Sequence, residues 1–520
     1  MTDSATTLVI LAATVVLFII DRLPVAVVAL LVPLSLWATG VLDLGTAVAG
    51  FGDPTILFIA ALFVVSEAMD ATGVTAWVGN VALRLGGEGR VRLTTTVMVM
   101  LALLTALITP NGSVAALTPV VVVIALRGGR SPSELLLPAA FAAHAGSLLM
   151  LIGSPVTVVL ADYIQEATGQ PFGLLEPAYV GVPLVLLTII LVLLLGPRLV
   201  PRRSPSRTLR DLGAHGDVLA RHYDLEGSGR RVLGREEGMG EFMVPPRSVY
   251  LGDAVHRGML TDSGNLVVYA LHREGRDVSE LDVLAIGDTL LLRGSWDALQ
   301  AAAEDPGLIA VDDPDTVRRQ AVPLGKGAWT VLGVVGAMVL LMATGWVPAA
   351  VAGLLAALAL IVLRVLTVNQ AYLGISWTTI ILVGGMMSLS AAMVDSGAAQ
   401  MLAEGLLSLT GDFGPHALLV GLFVITAALG QLISNMATAL IVIPIGLAAA
   451  TDLQISPVPV LVSIAVFAAA ALLTPVATPA NLVVMEAAGY RFGDYWKLGL
   501  PLLLLYGLVG VLLVPLIWPF

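Results

Sequence analysis

Cysteine is absent from this chain of 520 residues, and Asp, Glu, Lys and Arg together make up only 12% of it. The first absence excludes disulfides and thiolate metal sites, without fixing the redox compartment. The second leaves about half the charge usual in soluble domains, beside 58% hydrophobic residues and a mean hydropathy of +0.95. That composition excludes a soluble globule and implies a multi-pass protein of the cell membrane, with the lipid bilayer as its solvent. A basic stripe is missing too. With a net charge of −11, the chain has nothing to neutralise the phosphates of a nucleic-acid polymer. No nucleophile–base pair or metal-ligand cluster stands out, so an enzyme is the least favoured class. Nor does the N-terminus carry the positive residues of a cleaved signal: only Asp3 precedes the first apolar run, which reads as a retained helix.

What charge there is clusters. Residues 201–322 hold 15 Lys and Arg and 20 Asp and Glu, more than half of the charged residues in under a quarter of the length. The chain therefore divides into a membrane part at 1–200, a soluble insert at 201–322 and a second membrane part at 323–520.

The two membrane parts share a punctuation. Pro24, Met69, Gly73, Asn111, Ser154, Pro155 and Thr157 return as Pro348, Met393, Gly397, Asn435, Thr478, Pro479 and Asn481, always 324 positions later (435 less 111, 479 less 155). A constant offset over that span points to two copies of one unit. In membrane proteins such duplication marks a secondary transporter whose site lies where the copies meet.

In the first copy the apolar runs fall at 7–20, 24–38, 54–78, 93–125, 136–165 and 178–197. Thr109-Pro110-Asn111-Gly112-Ser113 interrupts the fourth run and leaves two arms too short to cross, which reads as a re-entrant hairpin. Gly153-Ser154-Pro155 interrupts the fifth, which reads as a spanning helix unwound at its centre. Each copy then supplies five crossings and one hairpin. Five is odd, so the copies must be inverted with respect to each other. With both termini outside, all 11 Lys and Arg beyond the insert, from Arg22 and Arg84 to Arg491 and Lys497, fall in cytoplasmic loops, as does the insert itself. The fold class expected is an α-helical polytopic inverted repeat carrying an α+β cytoplasmic insert. Strand-like alternation marks the insert at 265–271 and 288–293, while 202–240 is Gly- and Arg-rich and reads as linker.

Four helix interruptions expose backbone carbonyls and N–H groups that lipid cannot satisfy, so they must line a polar chamber. Carbonyl and amide oxygens suit a hard cation such as sodium, and half-helix N-termini attract an anion. Asn111 and Asn435 are the candidate sodium ligands, with carbonyls from Gly153 and Ala477. Ser113, Ser154, Thr157, Thr438, Thr478 and Asn481 are candidate donors to the substrate, and Gly112, Pro155, Ser434, Met436 and Pro479 complete the lining. His144 is either a relay or pocket donor, or a packed histidine bonded to backbone. No Lys or Arg lies within a span, so a divalent anion needs co-bound cations, which favours symport over uniport.

These residues also carry a resemblance. SNMATALIVIP from Ser434 and TPVATPANLVV from Thr474, with TPNGSVAALTP and LIGSPVTVV in the matching slots of the first copy, resemble the divalent anion/sodium symporter family of the ion transporter superfamily. That resemblance implies a homodimer, two sodium sites at the hairpin tips and an elevator-type motion. The chain departs from the family's Ser-Asn-Thr signature twice, at Pro110-Asn111-Gly112 and Ser434-Asn435-Met436. The threonine that helps hold dicarboxylates is thus missing, and sulfate becomes the favoured substrate over a dicarboxylate. In the insert, MVPPRSVYLGDAVHRGML from Met243, NLVVYALHREGRDV from Asn265 and IGDTLLLRGSWDAL from Ile286 resemble the RCK-C (TrkA-C) module over about 241–305. The module's order of strand, turn, helix and strands is expected here. Such modules dimerise and bind small ligands, cyclic dinucleotides among them, so the resemblance implies either a ligand-operated regulator or a dimerisation clamp. No tightly bound cofactor is expected. The competing class is an ion channel or cation/proton antiporter gated by the insert, disfavoured by the lack of a TVGYG-type filter and of paired acids at a helix break.

Overall fold

The computed structural model describes residues 2–20, 22–75, 77–78, 81, 89–127, 130–203, 219, 223, 237–273, 276–278, 282–321, 324–325, 327–344, 346–410, 414–475 and 477–520. Proline, glycine and polar caps cut its apolar runs into helices. The first set is α1 (Asp3–Ile20), α2 (Val25–Ala38), α3 (Leu44–Ala49), α4 (Pro54–Ala71), α5 (Arg90–Leu107), α6 (Pro110–Arg127), α7 (Ser133–Gly146), α8 (Pro155–Thr168) and α9 (Ala178–Leu199). Seven strands and two short helices follow: β1 (Glu237–Met243), β2 (Ala254–Val255), β3 (Leu266–Arg273), β4 (Arg276–Asp277), β5 (Asp282–Val283), β6 (Thr289–Ser295), α10 (Trp296–Ala303), β7 (Ile309–Ala310) and α11 (Pro314–Ala321). The second set is α12 (Ala328–Thr344), α13 (Ala349–Val362), α14 (Val368–Gly374), α15 (Trp377–Asp395), α16 (Ala398–Thr410), α17 (Pro415–Gly430), α18 (Asn435–Asp452), α19 (Pro457–Ala468), α20 (Pro479–Ala488) and α21 (Tyr495–Leu508). Among the described residues, seven helical spans are long and apolar enough to cross a membrane, and two of them, α5 and α18, are arms of the expected hairpins, so those arms are not too short to cross. The chain is a mostly helical, multi-pass membrane protein.

Helix bounds carry the same offset as the sequence motifs. α2 and α13 differ by 324 at both ends (349 less 25, 362 less 38). Even short helices absent from the apolar-run reading match: Asp43 caps α3 by accepting from Thr46 N–H, and Thr367, 324 positions on, caps α14 by accepting from Gln370 N–H. The run at 54–78 also proves shorter than its hydropathy implies. α4 stops at Ala71 and the chain turns at Gly73 (φ 72°), as α15 stops at Asp395 before Gly397 (φ 76°). A left-handed residue cannot continue the helix, however apolar its neighbours.

The chain forms two compact units, Met1–Ala68, Val81–Thr208 and Gly333–Phe520 in the first, Met69–Asn80 and Leu209–Leu332 in the second. In the first unit, contacts between the helix sets are reciprocal. α15 packs on α2, where a Cβ on Gly385 would lie 2.1 Å from the Ala29 carbonyl, and α13 packs on α4, where a Cβ on Gly353 would lie 2.6 Å from Phe58. Likewise α6 packs on α20 and α18 on α8. The two unwound stretches share a further device. Each runs over a glycine of the long helix that follows, so that a Cβ on Gly181 of α9 would stand 2.1 Å from Leu148 O, and one on Gly499 of α21 would stand 2.2 Å from Leu472 O.

In the second unit an antiparallel sheet of order β4-β3-β6-β1-β7 encloses Phe242, Leu266, Val268, Leu290, Leu292, Trp296 and Leu299. Between β1 and β3 the sequence leads one to expect a helix. The structure has turns and β2 there instead, because Gly252 N–H donates to Leu284 O and Leu284 N–H donates to Asp253 O, drawing the segment into a ladder with β5. The stretch 202–240 lies largely outside the described residues, and its end already belongs to β1.

One ion pair clamps this sheet. The Arg273 guanidinium donates two bonds of 2.8 Å to Asp288, one of 2.9 Å to Asp282 and one of 2.7 Å to Val283 O, while Ala285 N–H also donates to Asp288. Burial alone would raise the Asp288 carboxyl, but these donors and the Arg273 charge hold it below its ordinary 3.8. A depressed carboxyl stabilises the folded form fully above pH 3.8 and loses that contribution as pH falls through the folded value. Hydrogen-exchange protection of β6 in the full-length protein is therefore expected to drop below pH 3.8. Asp288→Asn should show low protection already at neutral pH and no such acid limb.

Candidate functional site

One interruption of each helix set meets the other across the sets within the first unit. Asn111, in the first turn of α6, is exposed, and its Oδ1 accepts from Ala480 N–H at the start of α20 (3.2 Å). A residue at the interruption of one helix set thus caps the interrupted helix of the other, rather than its own. His144, fully buried in α7, places Nε2 3.2 Å from Asn481 Oδ1 and 3.4 Å from Thr478 Oγ1. Pro479, between Thr478 and Ala480, is exposed, whereas Gly153 and Ala477 are buried at the ends of their unwound stretches.

Several expected substrate donors turn inward and hold the backbone. Ser113 is buried against Thr105 of α5, the two hydroxyls 2.6 Å apart, and it also reaches Pro110 O. Thr157 donates to Leu151 O and Ser154 O, each at 2.7 Å. Asn481 donates both amide protons, to Ala471 O (2.9 Å) and Thr474 O (3.1 Å). Ser154 and Ser434 accept from Val156 N–H and Ala437 N–H as helix caps. Gln431, which no motif singles out, ties down the second unwound stretch from both its amide groups: Nε2 donates to Ala470 O (3.1 Å) and Oε1 accepts from Leu473 N–H (2.8 Å). A glutamine near the end of an otherwise apolar α17 was the available signal. The interrupted backbone is therefore satisfied by side chains as well as by its own turns and by Leu174 O, as lipid requires.

Two unpartnered oxygens stand at an interruption, whereas those of Thr188, Thr426 and Tyr506 lie within helices. Asn435 Oδ1 and Thr438 Oγ1, one helical turn apart at the start of α18, are buried and have no hydrogen-bond partner among the described residues. A buried, unpaired oxygen costs about 1–3 kcal/mol, so these two, at an interruption, are candidates to meet a ligand. Met436 between them is buried, and Gly112 sits beside Ser66 of α4, whose Oγ would be 3.5 Å from a Cβ placed there. Ser66 is a polar lining residue that sequence alone did not flag. Carboxylates and histidines do not gather: among the described residues no three of His, Cys, Asp and Glu form a metal-holding group. A cation here would be held by amide, hydroxyl and carbonyl oxygens, which fits sodium better than a transition metal.

Comparison with known proteins gives four likenesses. A family model described as citrate transporter matches residues 15–439 and 338–520. The Escherichia coli protein called uncharacterized transporter YfbS is 28% identical, with 98% of each chain covered. A Chlamydomonas reinhardtii protein called probable sodium/sulfate cotransporter 3 is 28% identical over 56% of this chain and 34% of its own. Among solved structures, the Alcanivorax borkumensis YdaH transporter covers 89% of this chain and 87% of its own at 18% identity, with a TM-score of 0.46.

Proposed function

This chain belongs to the citrate transporter family, and on that premise we propose that it is a sodium-coupled symporter of a small divalent oxyanion, sulfate in the first instance. The observation that carries the reading is the pair of unpartnered oxygens, Asn435 Oδ1 and Thr438 Oγ1, at one interruption of a helix set whose other interruption meets Asn111 of the first set. Oxygen atoms without donors call for a cation, and a cation compensates the anion where, among the described residues, the basic residues of the membrane helices stand at or near helix ends, as Arg90, Arg198 and Lys497 do. The sodium/sulfate names of algal relatives point the same way.

The offset of helix bounds and the reciprocal packing support an inverted repeat, in which one arrangement viewed from the other side of the membrane is its mirror in function. On this reading both termini face outside, the insert is cytoplasmic and regulatory, two copies associate as a homodimer, and cargo crosses by an elevator-type movement. A second reading, symport of citrate or a dicarboxylate, is favoured by the family's description but opposed by Gly112 and Met436, which offer no hydroxyl to a second carboxylate. Uptake of labelled sulfate, succinate and citrate into proteoliposomes decides. Sulfate uptake that rises with an inward sodium gradient is expected; citrate or succinate uptake in its place selects the second reading, and uptake indifferent to sodium overturns the coupling.

A further inference from the structure

His144 has no place in the duplicated motifs, since its counterpart 324 positions on is Ala468, yet it contacts both Thr478 and Asn481 of the opposite helix set. The protons of this cluster can be assigned by elimination. Asn481 Nδ2 lies within hydrogen-bond reach of two backbone carbonyls, Ala471 O and Thr474 O, and carbonyls only accept. That fixes the orientation of the amide and makes Asn481 Oδ1 an acceptor facing His144 Nε2. An acceptor at 3.2 Å in a fully buried pocket requires a donor, so Nε2 must carry hydrogen.

The consequence falls on Thr478. Its Oγ1 accepts from Asn481 N–H (3.3 Å), and it cannot donate to an Nε2 that already holds a proton. Its own hydroxyl hydrogen has no acceptor among the described residues and must point elsewhere. We propose that His144 is a positioning residue: by holding its proton on Nε2 it anchors Asn481 and turns the Thr478 hydroxyl into a donor presented to the transported anion. This rests on the anion-transport reading and divides the labour at the second break, where Asn481 holds backbone and Thr478 meets the oxyanion. It also makes the two sets unequal, because the first has Ser154 in the place of Thr478 and the second has Ala468 in the place of His144.

Two measurements test it. Magic-angle-spinning nitrogen spectra of protein labelled at its 6 histidines, with His144 assigned by its loss in His144→Gln, should show hydrogen on Nε2; hydrogen on Nδ1 with a bare Nε2 overturns the proposal whatever the protein transports. In sulfate uptake, Thr478→Val and His144→Leu should each raise KM about 10-fold or more with little change in maximal rate. The double variant should be no worse than either single one, and His144→Gln, which keeps an N–H donor, should restore most of the loss. A His144→Leu variant that folds and keeps the wild-type KM overturns the proposal alone. Failure of the wild type to move sulfate or any carboxylate overturns the transport reading instead, and the nitrogen spectra still decide the proton.

Discussion

Asn435→Ala is expected to cut sodium-dependent anion uptake roughly 10- to 100-fold, the worth of a hydrogen bond or ligand contact to a charged group, while leaving thermal stability at or above the wild-type value. Asn111→Ala, its counterpart 324 positions earlier, is expected to lose both uptake and stability. The difference lies in what each side-chain oxygen does in the folded protein. Asn435 Oδ1 is buried with no donor, so removing it deprives no protein group of a partner and relieves a desolvated atom. Asn111 Oδ1 accepts from Ala480 N–H, so alanine leaves a helix-terminal amide unmet at a cost of about 1 kcal/mol. Thermal melting in detergent with and without sodium, beside uptake in proteoliposomes, separates the two. Equal losses of stability in both variants would remove the ground for assigning the ligand role to Asn435.

The second large effect is expected at Gly499. A Cβ there would stand 2.2 Å from Leu472 O, well inside contact distance, so either α21 or the unwound stretch must move. The stretch has little freedom to do so, because Gln431 and Asn481 hold Ala470 O, Ala471 O, Leu473 N–H and Thr474 O. Gly499→Ala should therefore destabilise the protein by about 3 kcal/mol or more and abolish transport. Gly181→Ala makes the equivalent clash with Leu148 O, but the bonds next to that carbonyl are local turns, Leu148 N–H to Ala145 O and Leu149 N–H to Gly146 O, and the ties at Leu151, from its N–H to Leu174 O and from Thr157 to its carbonyl, lie three residues on, so the first stretch can yield further. Its melting temperature should fall less than that of Gly499→Ala. The reverse order, or a Gly499→Ala protein that melts and transports like wild type, would show that the interrupted backbone is not held in the way these bonds imply.

Much of this architecture was legible in the chain. Proline or asparagine beside a capping residue or glycine inside apolar runs marked the interruptions at Pro110, Ser154, Ser434 and Thr478, since a missing N–H or a capping side chain favours a helix start there; proline alone did not, as Pro33, Pro119, Pro138 and Pro444 lie within helices. The offset of 324 was legible because both copies need the same punctuation. Less legible was the use made of each hydroxyl: Ser113, Thr157 and Asn481 read as ligand donors, but they face backbone, a matter of rotamer and neighbour. The expected helix after β1 failed for a related reason, because its backbone found partners in β5.

What the sequence by itself determined is local and periodic: a membrane solvent, a charged insert, two similar sets of helices, and the points at which four of those helices must break. Each follows from transfer free energy and backbone sterics, which act within a few residues. Tertiary structure alone decided that Asn111 meets Ala480 instead of a residue of its own set, that Leu148 and Leu472 rest on glycines, and that Asn435 and Thr438 are left without partners. Those outcomes depend on which distant surfaces come within about 3 Å of one another, and hydrogen bonding at that range leaves no trace in composition or spacing.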